Sequence, residues 1–115
     1  MLNYSDILRG LTDTLILAQL HAGDSYGYQI IKNISEVSDK ALELKEATLY
    51  TSFRRLEEAK LITSYWGDEN SGARRRYYSI TELGKKELYE NSSDWIKIKD
   101  IMSKLIRDFR EINTK

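Results

Sequence analysis

Three consecutive arginines, Arg74, Arg75 and Arg76, form the densest run of positive charge in this chain of 115 residues. Guanidinium forks bind phosphate oxygens and carboxylates through paired hydrogen bonds, so the triplet points to a polyanionic partner. A second group sets Thr48, Thr51, Ser52 and Arg55 at helical spacing, with Tyr50 and Arg54 alongside. Hydroxyls and arginines on one exposed helical face suit phosphates and base edges, although a plain solvated face has the same composition. Other chemistry is poorly supplied. His21 is the single histidine and cysteine is absent, which removes His-rich metal sites, thiolate catalysis and disulfides. His21 falls at a helix end beside Gly23, where histidine ordinarily faces solvent or the helix dipole. The six glycines are scattered and make no phosphate loop. Neither a cofactor nor an enzymatic activity is expected.

The formal net charge is zero, with 18 bases against 18 acids, but the charges are unevenly spread. Residues 1–44 carry three bases and six acids, whereas residues 45–80 carry seven bases and five acids. The basic excess thus lies where both groups above lie. At 41% hydrophobic and 31% charged residues, the composition suits one globular unit. The longest apolar run, Leu15 to Leu20, is broken by Gln19, so no membrane partner is expected. The N-terminus lacks a secretory signal pattern, and a cytoplasmic location is the expectation.

The elements that must position these residues can be read from periodicity. A helix is predicted from about Ile7 to Ala22, with Leu8, Leu11, Leu15 and Ala18 on one side and Ile7, Ile16, Leu17 and Leu20 on another. A helix apolar on two sides in a small domain hints at a partner chain. After Gly23, Asp24 or Ser25 is placed to cap a second helix whose stripe is Tyr26, Ile30, Ile34 and Val37. Gly27 either permits a close helix crossing or marks the first turn. A third helix, Lys45 to Lys60, turns Leu49, Phe53 and Leu56 inward. Leu61 to Gly67 and Tyr77 to Ile80 are rich in β-branched and aromatic residues, with a polar turn from Asp68 to Ala73 between them. They predict a β-hairpin whose return strand starts with the arginines, so that alternation sets Arg75 opposite Arg74 and Arg76. Thr81 caps a last helix extending to about Ile112. Its apolar positions Leu88, Trp95, Ile98, Met102, Leu105, Phe109 and Ile112 follow a heptad seam, with Asn91 in the remaining place and Ile101 and Ile106 as a second edge. Such a stripe on a solitary helix would leave a large apolar patch exposed, so dimerisation through this helix is expected.

The fold class expected is therefore mainly α with a β-hairpin wing, a winged helix-turn-helix followed by a long C-terminal dimerisation helix. Residues 1–80 would form the DNA-binding head and residues 81–115 the dimerisation helix. A homodimer would present two heads to the halves of a roughly two-fold symmetric double-stranded operator. Candidate DNA contacts are Thr48, Tyr50 and Thr51 on the third helix, Ser25 and Tyr26 at the start of the second, and Arg74 and Arg75 on the wing. A helical adaptor without DNA affinity, which zero net charge would favour, and a small-molecule carrier are the alternatives.

Several stretches carry a family resemblance: Leu8-Arg9-Gly10 with Asp13 to Leu17, Ser25-Tyr26-Gly27-Tyr28, Glu46-Ala47-Thr48-Leu49-Tyr50, Arg54-Arg55-Leu56-Glu57, Tyr65-Trp66-Gly67, and Arg74 to Tyr78 followed by Thr81-Glu82-Leu83-Gly84. Together they resemble the PadR family of transcriptional regulators, in its short subgroup with one C-terminal helix. The resemblance is strongest to a member that represses a multidrug exporter and takes planar aromatic drugs in a pore at its dimer interface. It implies that Trp95 pairs with its dimer mate as a stacking platform, and that Ile7, Leu8, Thr14, Ala18, Ile98 and Met102 line the pore or lie near it. One departure stands out. Where that member has an acidic residue one turn after its tryptophan, this chain has Lys99, and Asp100 lies about 100° further round the helix. Neutral or anionic aromatic ligands are therefore expected in preference to cations. Trp66 is expected to pack between wing and body.

Overall fold

The computed structural model describes residues 11–67 and 74–113; Ile7, Leu8 and the turn from Asp68 to Ala73 lie outside the described residues. The elements run α1 (Thr12–Ala22), α2 (Gly27–Val37), α3 (Glu46–Glu58), β1 (Ile62–Trp66), β2 (Arg76–Ile80) and α4 (Glu82–Asn113). One apolar core joins Ile16, Leu17 and Leu20 of α1, Ile30 and Ile34 of α2, Leu49, Phe53 and Leu56 of α3, and Ile62 and Tyr78 of the hairpin. Burying each such side chain contributes about 1.5–3 kcal/mol. The mainly helical, winged arrangement is the one expected.

Local differences from the expectation have clear causes. Neither Asp24 nor Ser25 caps α2; the N-cap is Tyr26, in extended backbone without a side-chain cap. Ser25 instead pairs with the wing: its N–H donates to the Tyr78 carbonyl at 3.2 Å, and the Tyr78 N–H donates to the Ser25 carbonyl at 2.8 Å. Val37 is exposed, because the chain turns there. Ser38 closes the helix by donating from Oγ to the Ile34 carbonyl at 2.7 Å and accepting the Leu42 N–H at 3.1 Å. Helix α3 stops at Glu58, short of Lys60. Lys60 is left-handed at φ 63°, and the N–H groups of Lys60 and Leu61 donate back to the Glu57 and Leu56 carbonyls, a Schellman closure.

Gly27 serves a crossing. A Cβ there would lie 2.9 Å from Tyr50 Oη and 3.1 Å from Leu49 Cδ2, so its absence lets α2 approach α3. The hairpin pairs Ile62 with Ile80, Ser64 with Tyr78 and Trp66 with Arg76 in antiparallel register. Thr81 then caps α4 as expected, accepting the Gly84 N–H at Oγ1 over 3.0 Å while its own N–H donates to the Leu61 carbonyl. The 32 residues of α4 run about 48 Å, and the molecule measures 65 × 28 × 21 Å. Only the first turns of α4 pack on the head. Leu88 meets the core, and Asn91 Nδ2 donates to Thr14 Oγ1 at 3.2 Å.

Gly84 is seated against backbone, and an added Cβ would collide with the Leu61 carbonyl and with Ile80 Cγ1. Backbone cannot swing aside as a flexible side chain can. Gly84→Ala should therefore lower stability by about 1–3 kcal/mol in urea unfolding, although alanine is the better helix former.

Candidate nucleic-acid interface

Tyr78 builds the interface from beneath. Its ring stacks on Phe53 of α3 with centroids 3.8 Å apart and planes 16° apart, and its backbone pairs with Ser25. Only 4% of its surface is exposed. Burial raises the Tyr78 phenol above its ordinary pKa; Arg76 nearby pulls it down, and Glu57 pushes it up. The hairpin, the third helix and the start of the second are thereby held in one arrangement.

On this base the three arginines gather against aromatic rings. The Arg74 guanidinium lies 5.6 Å from the Trp66 ring, Arg75 lies 4.6 Å from Tyr26, and Arg76 lies 5.7 Å from Tyr78. Arg76 also donates to Ser64 Oγ at 2.8 Å and pairs with Glu57 at 3.4 Å. All three border a cleft of about 480 Å³ between the wing, Tyr26 to Tyr28 and Tyr50. Although β2 begins only at Arg76, Arg75 is set apart from its neighbours as alternation predicts: it lies over Tyr26, whereas Arg74 and Arg76 lie by Trp66 and Tyr78. Trp66 is exposed beneath Arg74 and does not pack between wing and body.

The exposed face of α3 adds a second cleft of about 300 Å³, bordered by Thr12, Ala47, Thr48, Thr51, Ser52 and Arg55. Thr48 and Thr51 are exposed, and the Thr51 hydroxyl donates to the Ala47 carbonyl at 2.9 Å, leaving its oxygen to accept. Two residues depart from the expected face. Ser52 is buried, and Arg55 reaches back to Asp13 of α1, donating from Nε at 3.0 Å and from Nη2 at 2.6 Å. That hydrogen bond and the attraction to Asp13 raise the Arg55 pKa above its ordinary value. Of the expected DNA contacts, Tyr26, Tyr50, Arg74 and Arg75 share the wing cleft and Thr48 and Thr51 share the other. Ser25 is half-buried, its backbone occupied by Tyr78.

Sequence reading overlooked Tyr28, Tyr65 and Tyr77. Tyr28 borders the wing cleft. Tyr65 stacks on Tyr77 with centroids 5.7 Å apart, and Tyr77 meets Tyr26 edge-on at 5.4 Å. The Tyr65 hydroxyl donates to Asp24 at 2.7 Å, a bond that raises its pKa by favouring the protonated phenol. The available signal was the density of tyrosine, eight in the chain, around the basic triplet.

A separate cleft of about 200 Å³ lies between α1 and α4, bordered by Leu11, Thr14, Asn91, Asp94, Trp95 and Ile98. It joins three of the expected ligand residues, Thr14, Trp95 and Ile98. Ala18 is exposed one turn further along α1, and Met102 is exposed one turn beyond Ile98. Exposure continues along the stripe, from 40% at Trp95 to 66% at Phe109. Among the described residues, no helix is long and apolar enough to cross a membrane.

A helix-turn-helix made by α2 and α3, flanked by a hairpin with arginines at its edge, defines a winged-helix protein of the nucleic-acid-binding type. The chain belongs to the Transcriptional regulator PadR-like family, whose profile matches residues 16–90. Family members regulate transcription and are not enzymes. The chain is similar to a transcriptional regulator from Clostridium thermocellum, with 45% identity over 87% of this chain and 97% of that one and a TM-score of 0.80. It is also similar to a PadR family transcription regulator from Clostridium difficile, with 38% identity over 83% and 97% of the two chains and a TM-score of 0.72. Bacillus subtilis PadR in complex with operator DNA shares the fold, with 24% identity over 75% of this chain and 46% of that one and a TM-score of 0.63.

The Asp13–Arg55 pair spans α1 and α3 but is partly solvated, with 58% of the arginine side chain exposed. A double-mutant cycle of Asp13→Ala and Arg55→Ala should give a coupling of about 0.5–1 kcal/mol in urea unfolding, shrinking as salt is raised.

Proposed function

We propose that this PadR-like regulator is a dimeric, operator-binding repressor that responds to planar aromatic molecules at its subunit interface. The observation that carries the DNA reading is the wing cleft, where Arg74, Arg75 and Arg76 lie beside Tyr26 and Tyr50 at the foot of α3. Thr48, Tyr50 and Thr51 meet base edges and phosphates in the major groove. Ser25 and Tyr26 meet the backbone where α2 begins, and Arg74 and Arg75 hold the adjacent phosphates. Net neutrality does not oppose this, because charges beyond about 10 Å are screened and the local basic cluster acts alone.

The exposed stripe from Trp95 to Phe109 supports assembly of two chains through α4, with residues 1–80 as the head and 81–115 as the dimerisation helix. In such a dimer the half-open cleft at Trp95 would be completed by the second copy. We read the motif resemblance as extending to the lactococcal multidrug-resistance regulator, the drug-binding member to which the motifs pointed. On that reading planar ligands stack on paired Trp95 rings, with Ile7, Leu8, Thr14, Ala18, Ile98 and Met102 around them. Lys99 favours neutral or anionic aromatics over cations. A ligand releases DNA only if it prefers one spacing of the two heads over the other. A cytoplasmic site of action follows from this role.

Footprinting the region upstream of the protein's own gene, with and without a phenolic acid, tests the proposal. Protection across two half-sites about one helical turn apart is expected, and no protected region would refute it. Sedimentation should show a dimer at micromolar concentration. In a Trp66→Phe background, a phenolic acid should quench Trp95 emission at lower concentration than a cationic dye of similar size, and Trp95→Ala should abolish the response. Tighter binding of the dye would contradict the assigned ligand charge.

A further inference from the structure

Beneath Arg75 lies a series of contacts that operator binding alone does not require. Tyr65 and Tyr77 face each other across the hairpin and stack, their planes 14° apart. Tyr77 meets the ring of Tyr26 edge-on, and the Arg75 guanidinium lies 4.6 Å above that same ring. At the far end the Tyr65 hydroxyl donates to Asp24, a residue of the α1–α2 connection and not of the wing. Gly67 closes the arrangement from below. A Cβ there would collide with the Tyr77 ring, and the Gly67 N–H donates to the Arg75 carbonyl at 2.8 Å. One glycine thus seats the ring and pins the backbone of the arginine.

We infer that Tyr65 is a positioning residue for DNA-backbone recognition: anchored by Asp24, it sets the Tyr77–Tyr26 pair on which Arg75 rests and so fixes where that guanidinium meets a phosphate. The inference rests on the operator-binding reading above. Tyr65 itself is 45% exposed and need not touch DNA. A cation held over a ring keeps its charge while losing rotamer freedom, so less is lost when a phosphate docks. The hydroxyl matters because the body holds Tyr65 through it. Phenylalanine would keep the stack and release the anchor.

The test measures fluorescence anisotropy with a labelled mixed-sequence duplex of about 30 base pairs, from about 50 to 200 mM KCl. It compares the full-length wild type, Tyr65→Phe, Arg75→Ala and the double variant. Arg75→Ala should weaken binding and reduce the magnitude of the salt slope by about one, the loss of one phosphate contact. Tyr65→Phe should weaken binding about threefold when Arg75 is present and leave it unchanged within about 1.5-fold in the Arg75→Ala background. Equal losses in both backgrounds would mean that Tyr65 merely supports the hairpin, which overturns the inference. No loss in either background overturns it as well. Wild-type protein that binds the duplex without salt dependence makes no phosphate contacts, which would sink the operator reading and this inference with it.

Discussion

The stacking of Tyr78 on Phe53 is the contact on which the rest of the head depends. Two aromatic rings 3.8 Å apart join the wing to α3. The same tyrosine's backbone joins the wing to the segment before α2. A small hairpin of two five-residue strands has little stability of its own in water. Here it is stabilised by being sewn to helices on both sides, and its orientation is inherited from the core. The arginines at its edge are consequently held at a set distance from Tyr50 on α3, which a hairpin on a flexible tether could not achieve. Glu57 contributes from α3 by holding Arg76 and Ser64 together.

Aromatic rings do two kinds of work in this chain. Phe53 and Tyr78 fill the core, where area burial dominates. Trp66 and Tyr26 lie nearer the surface and carry the guanidinium groups of Arg74 and Arg75, Tyr65 and Tyr77 pack beside Tyr26, and the buried Tyr78 ring has Arg76 at its side. A positive charge over a ring retains most of its hydration and its reach toward an anion. A chain with as many acids as bases can in this way present a concentrated basic edge without burying a charge. Among the described residues, no buried side-chain polar atom lacks a partner.

Much of this architecture is legible in the sequence because it is periodic. The heptad spacing from Leu88 onward marks α4, the inward stripe Leu49, Phe53 and Leu56 marks α3, and the β-branched and aromatic runs mark the hairpin. Thr81 announces its helix because a threonine cap acts within three residues. What escaped the reading involves residues far apart along the chain. Ser25 could equally cap a helix or pair with a strand, and the choice is made by Tyr78, 53 positions away. Arg55 reads as a surface base until Asp13 comes within reach across the helix packing. Ser52 reads as exposed because hydroxyl chemistry outweighs position on a helical wheel, whereas the packing buries it. The role of Gly27 is open until the partner it approaches, Tyr50, is known.

Asp13 and Thr14 are consecutive residues bound to different helices, the first to Arg55 of α3 and the second to Asn91 of α4. Sliding α4 along the head would pull on the same turn of α1 that steadies α3. One turn of α1 thus ties the long terminal helix to the helix that carries Thr48 and Thr51.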